Sequence, residues 1–168
     1  LNGARRVVQV RMADSAGAPD FTFSYLQSSV FFNTTYCRFK RAAPLLNSFL
    51  RTTNNTNVAK LNSGATIRTT APGGMEWIRD PDADLNNADN DKGLFYNTTG
   101  FIGVRFNRTG QTYYGWIEYT GNNDGTGRVV RCAWQDAADT TIKASGETVK
   151  TKRMTLNSGK SLLTWVNE

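Results

Sequence analysis

The run at residues 100–136, GFIGVRFNRTGQTYYGWIEYTGNNDGTGRVVRCAWQD, limits the fold more than any other part of the chain. Within it, residues 101–106, 112–120 and 128–134 each alternate polar and apolar side chains, and β-branched and aromatic residues dominate all three. A period of two with that composition suits a pleated, half-buried surface. Asn107-Arg108-Thr109-Gly110 has the length and the closing glycine of a hairpin connection. Residues 121–127 form a longer turn of types that tolerate positive φ. Three neighbouring strands joined in this way predict an antiparallel meander at the centre of an all-β fold.

The rest of the chain supplies more of the same. Residues 5–12 (RRVVQVRM), 21–26, 29–39, 65–70, 75–78, 148–156 and 161–166 read as strands or broken strands, separated by Asn-, Ser-, Gly- and Pro-rich turns. The one clear helical spacing is AAPLLNSFLR at 42–51, with Pro44 near its start, so at most one short helix is expected there. About ten short strands in a chain of 168 residues predict one domain spanning 1–168. The expected architecture is an antiparallel β-sandwich of jelly-roll type. The end segments 1–12 and 148–168 are expected to be terminal strands, available for exchange with neighbouring subunits.

The meander also carries a resemblance. GFIGVRFN, GQTYYGWIEY and RVVRCAWQDAADTTIKASG are similar to the closing part of a domain found in exported bacterial proteins, many of which end in a PEP-type C-terminal sorting signal. DFTFS at 20–24 and VAKLNSGATI at 58–67 resemble that family's early strands. The resemblance spans residues 18–146. It implies a secreted β-sandwich, at the cell surface or outside the cell, and carries no catalytic motif with it. A start at Leu1-Asn2-Gly3 without Met reads as a processed product, and the family's sorting tail is not seen after residue 146.

Composition removes several function classes. The chain has no histidine, hence no Ser-His-Asp or Cys-His arrangement and none of the commonest metal ligand. No glycine-rich phosphate loop opens a helix. Glycoside hydrolysis needs two placed carboxylates, and Glu118 beside Tyr114 and Trp116 is a single acid on a strand. The chain is therefore read as non-enzymatic. Its formal charge of +6 is scattered, with small groups at Arg38, Lys40 and Arg41 and at Lys150, Lys152 and Arg153, which argues against a nucleic-acid partner. No run is long enough for a membrane span.

Four sets of residues are candidate sites. Asp80, Asp82, Asp84, Asn86 and Asp91 alternate in an acidic segment with the ligand spacing of a twelve-residue Ca2+ loop, although Leu85 stands where that loop wants glycine. No cofactor is otherwise required. Cys37 and Cys132 both lie in strand-like runs; they fit either one buried disulfide, closing a loop of about 95 residues worth roughly 4 kcal/mol, or two separate buried thiols. Asn33, Asn54, Asn97 and Asn107 head N-x-Ser/Thr sequons, those at Asn54 and Asn107 in expected loops. Tyr114, Trp116 and Glu118 share one side of a strand and would form a sugar-binding face if exposed, or core if not.

The sequence thus points to an extracellular structural protein that assembles with itself, as a homo-oligomer or filament, by strand addition. The alternatives are a carbohydrate-binding or adhesive module for an extracellular glycan, with or without Ca2+, and a viral jelly-roll coat protein. The absence of a strongly basic arm argues against the last.

Overall fold

A computed structural model describes residues 5–12, 19–27, 35–41, 47–54, 57–79, 83–87, 93–146, 151–156 and 163–167. Among them the chain is all β, with thirteen strands and no helix. The strands are β1 (Arg5–Val10), β2 (Phe21–Gln27), β3 (Thr35–Arg41), β4 (Ser48–Thr52), β5 (Thr66–Ile67), β6 (Met75–Ile78), β7 (Ala83–Asn87), β8 (Thr98–Arg108), β9 (Gln111–Gly121), β10 (Gly127–Trp134), β11 (Ile142–Lys143), β12 (Thr151–Leu156) and β13 (Leu163–Asn167). Every pairing is antiparallel. One sheet has the order β1-β2-β3-β7; the larger has the order β13-β12-β10-β9-β8-β4-β6; β5 and β11 form a small third sheet.

The meander forms as its alternation predicts. β8 and β9 pair along their whole length, from Thr98 opposite Gly121 to Arg108 opposite Gln111. Their connection is tighter than the four residues expected: Thr109 and Gly110 alone turn the chain, at φ 50° and 81°. Positive φ at both central positions is the hairpin turn whose twist matches the flanking strands. At the other end Asp124 accepts hydrogen bonds from the Thr126 amide (2.9 Å) and hydroxyl (2.6 Å), closing the β9–β10 turn. Those bonds, led by the hydroxyl, hold the Asp124 carboxyl below its ordinary range.

Alternation along the central strands feeds two cores. Ile102, Val104 and Phe106 of β8, Ile117 and Tyr119 of β9, and Cys132 and Trp134 of β10 face the smaller sheet, where Phe21, Phe23, Phe39 and Leu85 meet them. Phe23 stacks on Tyr119 with ring centroids 5.3 Å apart, and Phe39 meets Phe49 edge-on at 5.0 Å, bridging the two sheets. The opposite face of β8–β10, with Phe101, Tyr114, Trp116 and Ala133, is also buried. It lies beneath Ala59, Leu61 and Ile67 on one covering arm and Ile142 and Ala144 on another. Backbone bonds stitch the first arm down: Ala59 donates to Leu50 (3.0 Å), and Leu61 and Phe101 exchange bonds at 2.9 and 3.0 Å. The sandwich therefore carries a partial third layer, so its central strands are roofed on both sides.

The structure departs from the sequence reading in two elements. Residues 48–51, the second half of the expected helix, belong to β4, paired between β6 and β8; residues 42–46 lie outside the described residues. The side chains Phe49 and Leu50 insert into opposite cores, a demand that a strand meets with adjacent residues. Residues 83–87, within the expected acidic loop, form β7. Buried Ala83 and Leu85 complete the core beside β3. Burying those two side chains recruits this acidic stretch into the sheet.

Candidate functional site

A buried polar knot fixes the corner where β1, β2, β4 and the β8–β9 turn meet. Asp20 is fully buried. Its carboxylate accepts hydrogen bonds from the Met12 amide (2.8 Å), the Asn47 side-chain amide (3.0 Å) and the Arg108 guanidinium (2.6 Å). Asn47 in turn accepts from the Asn107 amide at 2.9 Å. Three donors, one of them an arginine, match the needs of a buried carboxylate. Two further acids near the larger sheet are likewise held by arginine: Glu76 by Arg51 at 2.8 Å and Glu118 by Arg131 at 2.5 Å.

The expected sugar platform is a layer interior. Trp116 is 0% and Tyr114 1% exposed. Arg131 lies over the Trp116 ring at 5.2 Å, Phe101 meets that ring edge-on, and the Tyr114 hydroxyl is bonded to the Thr69 hydroxyl at 2.9 Å. The covering arms hide both rings, so Tyr114 and Trp116 pack into the third layer, while Glu118 is held by Arg131 on the neighbouring strand. Arg105 over Trp77, at 4.9 Å, extends the same arginine–tryptophan packing. Burial first, and then Arg79, lower the Arg105 pKa from its ordinary value.

Cys37 and Cys132 are both buried and not joined in a disulfide, which corrects the disulfide reading in favour of two separate thiols. Cys37 lies on the smaller sheet and Cys132 on the larger, each filling core volume as a small apolar side chain. Burial raises the Cys37 thiol to about 11, against a partly offsetting hydrogen bond with Tyr119; burial likewise pushes the Tyr119 phenol upward.

Of the metal-spacing residues, two fall among the described residues. Asp84 and Asn86 occupy β7, their Cα atoms opposite Arg38 and Cys37 of β3. Asp80, Asp82 and Asp91 lie outside the described residues, as does Asn33 among the sequons. Asn54 and Asn97 are exposed, Asn97 at φ 50°. Asn107 is half-buried, and its side-chain carbonyl accepts from Gly110 at 3.2 Å.

Two surface features remain as candidates for interaction. The first is the set of sheet edges: β1 and β7 bound one sheet, β13 and β6 the other. The segments 151–156 and 163–167 pair as a hairpin, and β12 meets β10 through a short register, Arg131 to Ala133 against Arg153 to Thr151. The second is a half-open groove of about 360 Å³ on the covering layer, lined by residues that include Lys60, Asn62, Arg68, Thr70, Pro72 and Met75. The terminal strands β1 and β13 fall within the end segments that the sequence marks for exchange, whereas the groove has no such signal, because Lys60 and Arg68 are isolated cations in polar stretches. Comparison with protein-family models, with curated proteins and with solved structures finds no significant match to this chain.

Proposed function

We propose that this protein is a non-enzymatic, extracellular structural subunit that joins copies of itself by strand addition at its sheet edges. The observation that carries this reading is the attachment of the C-terminal hairpin. Among the described residues β12 meets β10 at Arg131 to Ala133, at the end of the sheet where β13 forms the edge, whereas β9 follows β10 along nearly its whole length. A hairpin at the end of a sheet can be exchanged for the corresponding hairpin of a second copy, because both offer the same main-chain register. β1 and β13 also approach each other, so both terminal strands lie at one side of the sandwich. The resemblance to exported proteins supports an extracellular setting, and the pairing of Asp20, Glu76 and Glu118 with arginine supports a role without acid–base chemistry.

The register supplies the test. Lys152 stands opposite Cys132, so Lys152→Cys places a second thiol across from a native one. Oxidation of the concentrated protein is expected to give covalent multimers on a non-reducing gel, through Cys132 of one copy and the introduced cysteine of another. Cross-linked monomers alone, with single particles in electron micrographs and a monomeric mass at high concentration, would reject the reading.

A further inference from the structure

We propose that the groove on the covering layer binds an acidic sugar chain, one that carries carboxylate or sulfate groups. The inference concerns the groove on the covering layer, which touches the β6 edge only at Met75, and does not depend on self-assembly. Three observations carry it. The first is charge. Lys60 and Arg68 both line the groove, and among the described residues no carboxylate does. The nearby acid Glu76 is already matched by Arg51 at 2.8 Å. Thr98 accepts a bond from the Lys60 ammonium at 3.4 Å, which engages one of its three donors.

The second is the chemistry of the lining. Leu61, Ala65, Pro72 and Met75 give an apolar floor, and Asn62, Thr66 and Thr70 give neutral polar groups. That combination matches a sugar ring, which presents C–H faces and hydroxyls together. Inorganic anions use only the cations. The volume of about 360 Å³ is at the lower end of the range of small-ligand sites, and the open side lets a chain continue past it.

The third is preorganisation. The Trp77 indole donates to the Arg68 carbonyl at 3.2 Å, and Thr69 is tied to Tyr114 at 2.9 Å, so one wall is pinned to the buried layer. The other wall is held by Gly64 and Ala144, whose amides donate to Ala144 and Ala65 at 2.8 and 2.9 Å. Walls fixed before binding lose little conformational freedom on binding.

The test is calorimetric titration of the protein with a sulfated tetrasaccharide, a tetragalacturonate, a neutral cello-oligosaccharide and inorganic sulfate. At least one acidic oligosaccharide is expected to bind, with the neutral sugar and free sulfate at least tenfold weaker. The pair Lys60→Glu and Arg68→Glu is expected to weaken that binding more than tenfold. The charge-matched pair Lys40→Glu and Arg128→Glu, outside the groove, is expected to change it less than threefold, with both variants melting like the parent. No heat with either acidic probe at millimolar concentration would overturn the proposal. So would equal weakening by the two pairs, which marks unspecific attraction, or equal binding of inorganic sulfate, which marks an ion site only.

Discussion

At the scale of single residues, the buried polar and thiol groups have separable consequences. Asp20 is a charge inside the corner of the fold, neutralised by Arg108 and saturated by amide donors. Asp20→Asn keeps the size but leaves the arginine without its counter-charge. It is expected to cost about 2–4 kcal/mol, read from denaturant midpoints at neutral pH. Cys37 has the opposite character, a neutral thiol whose ionised form is excluded by burial. Its pKa rises from the ordinary 9.0 to about 11, so the unfolded chain loses the proton first. Stability from this group is complete below about pH 9 and is lost as pH rises towards 11, by about 2–3 kcal/mol. Tyr119, also shifted upward, adds its own loss at higher pH. The parent should therefore lose more stability between pH 8 and 11 than Cys37→Ala does; parallel curves would contradict the assignment. None of these pairings is legible in the sequence, because Asp20 and Arg108 are brought together only by the fold.

At the scale of elements, legibility followed how strongly a pattern excludes its alternatives. β8, β9 and β10 were readable because β-branched and aromatic content and turn chemistry agree there. β4 was not, since LLNSFLR fits a helical stripe as well as a strand that feeds two cores. β7 was hidden by its acids, which outweighed two buried apolar positions. Burial of Tyr114 and Trp116 had a signal after all. GFIGV and YYGWI are apolar at consecutive positions, which marks a strand covered on both faces. Gly115 shows how tightly that arrangement is closed. A Cβ there would meet the Ala133 carbonyl oxygen at 2.7 Å and the Met12 methyl at 2.8 Å. Since one neighbour is backbone, Gly115→Ala is expected to destabilise by about 1–3 kcal/mol in thermal or denaturant melts. A neutral result would mean that the sheets can part without cost.

At the scale of the whole molecule, strand order departs widely from chain order. β4 and β8, about fifty residues apart, are neighbours, and β3 holds the distant β7. Loops must close before such pairings form, so refolding is expected over milliseconds to seconds in stopped-flow fluorescence from the four tryptophans. A microsecond phase that accounted for the full signal would contradict this topology. The fold class, the sandwich and its central meander were within reach of the sequence; the third layer and the groove upon it were not, because short arms such as 57–71 and 135–146 carry little periodicity of their own.

The roof over the middle of the larger sheet has a geometric consequence. With its central strands sealed above and below, that sheet offers a second molecule no bare floor to lie on there. Growth by the proposed strand addition would therefore run sideways along its rims, as a ribbon one molecule thick.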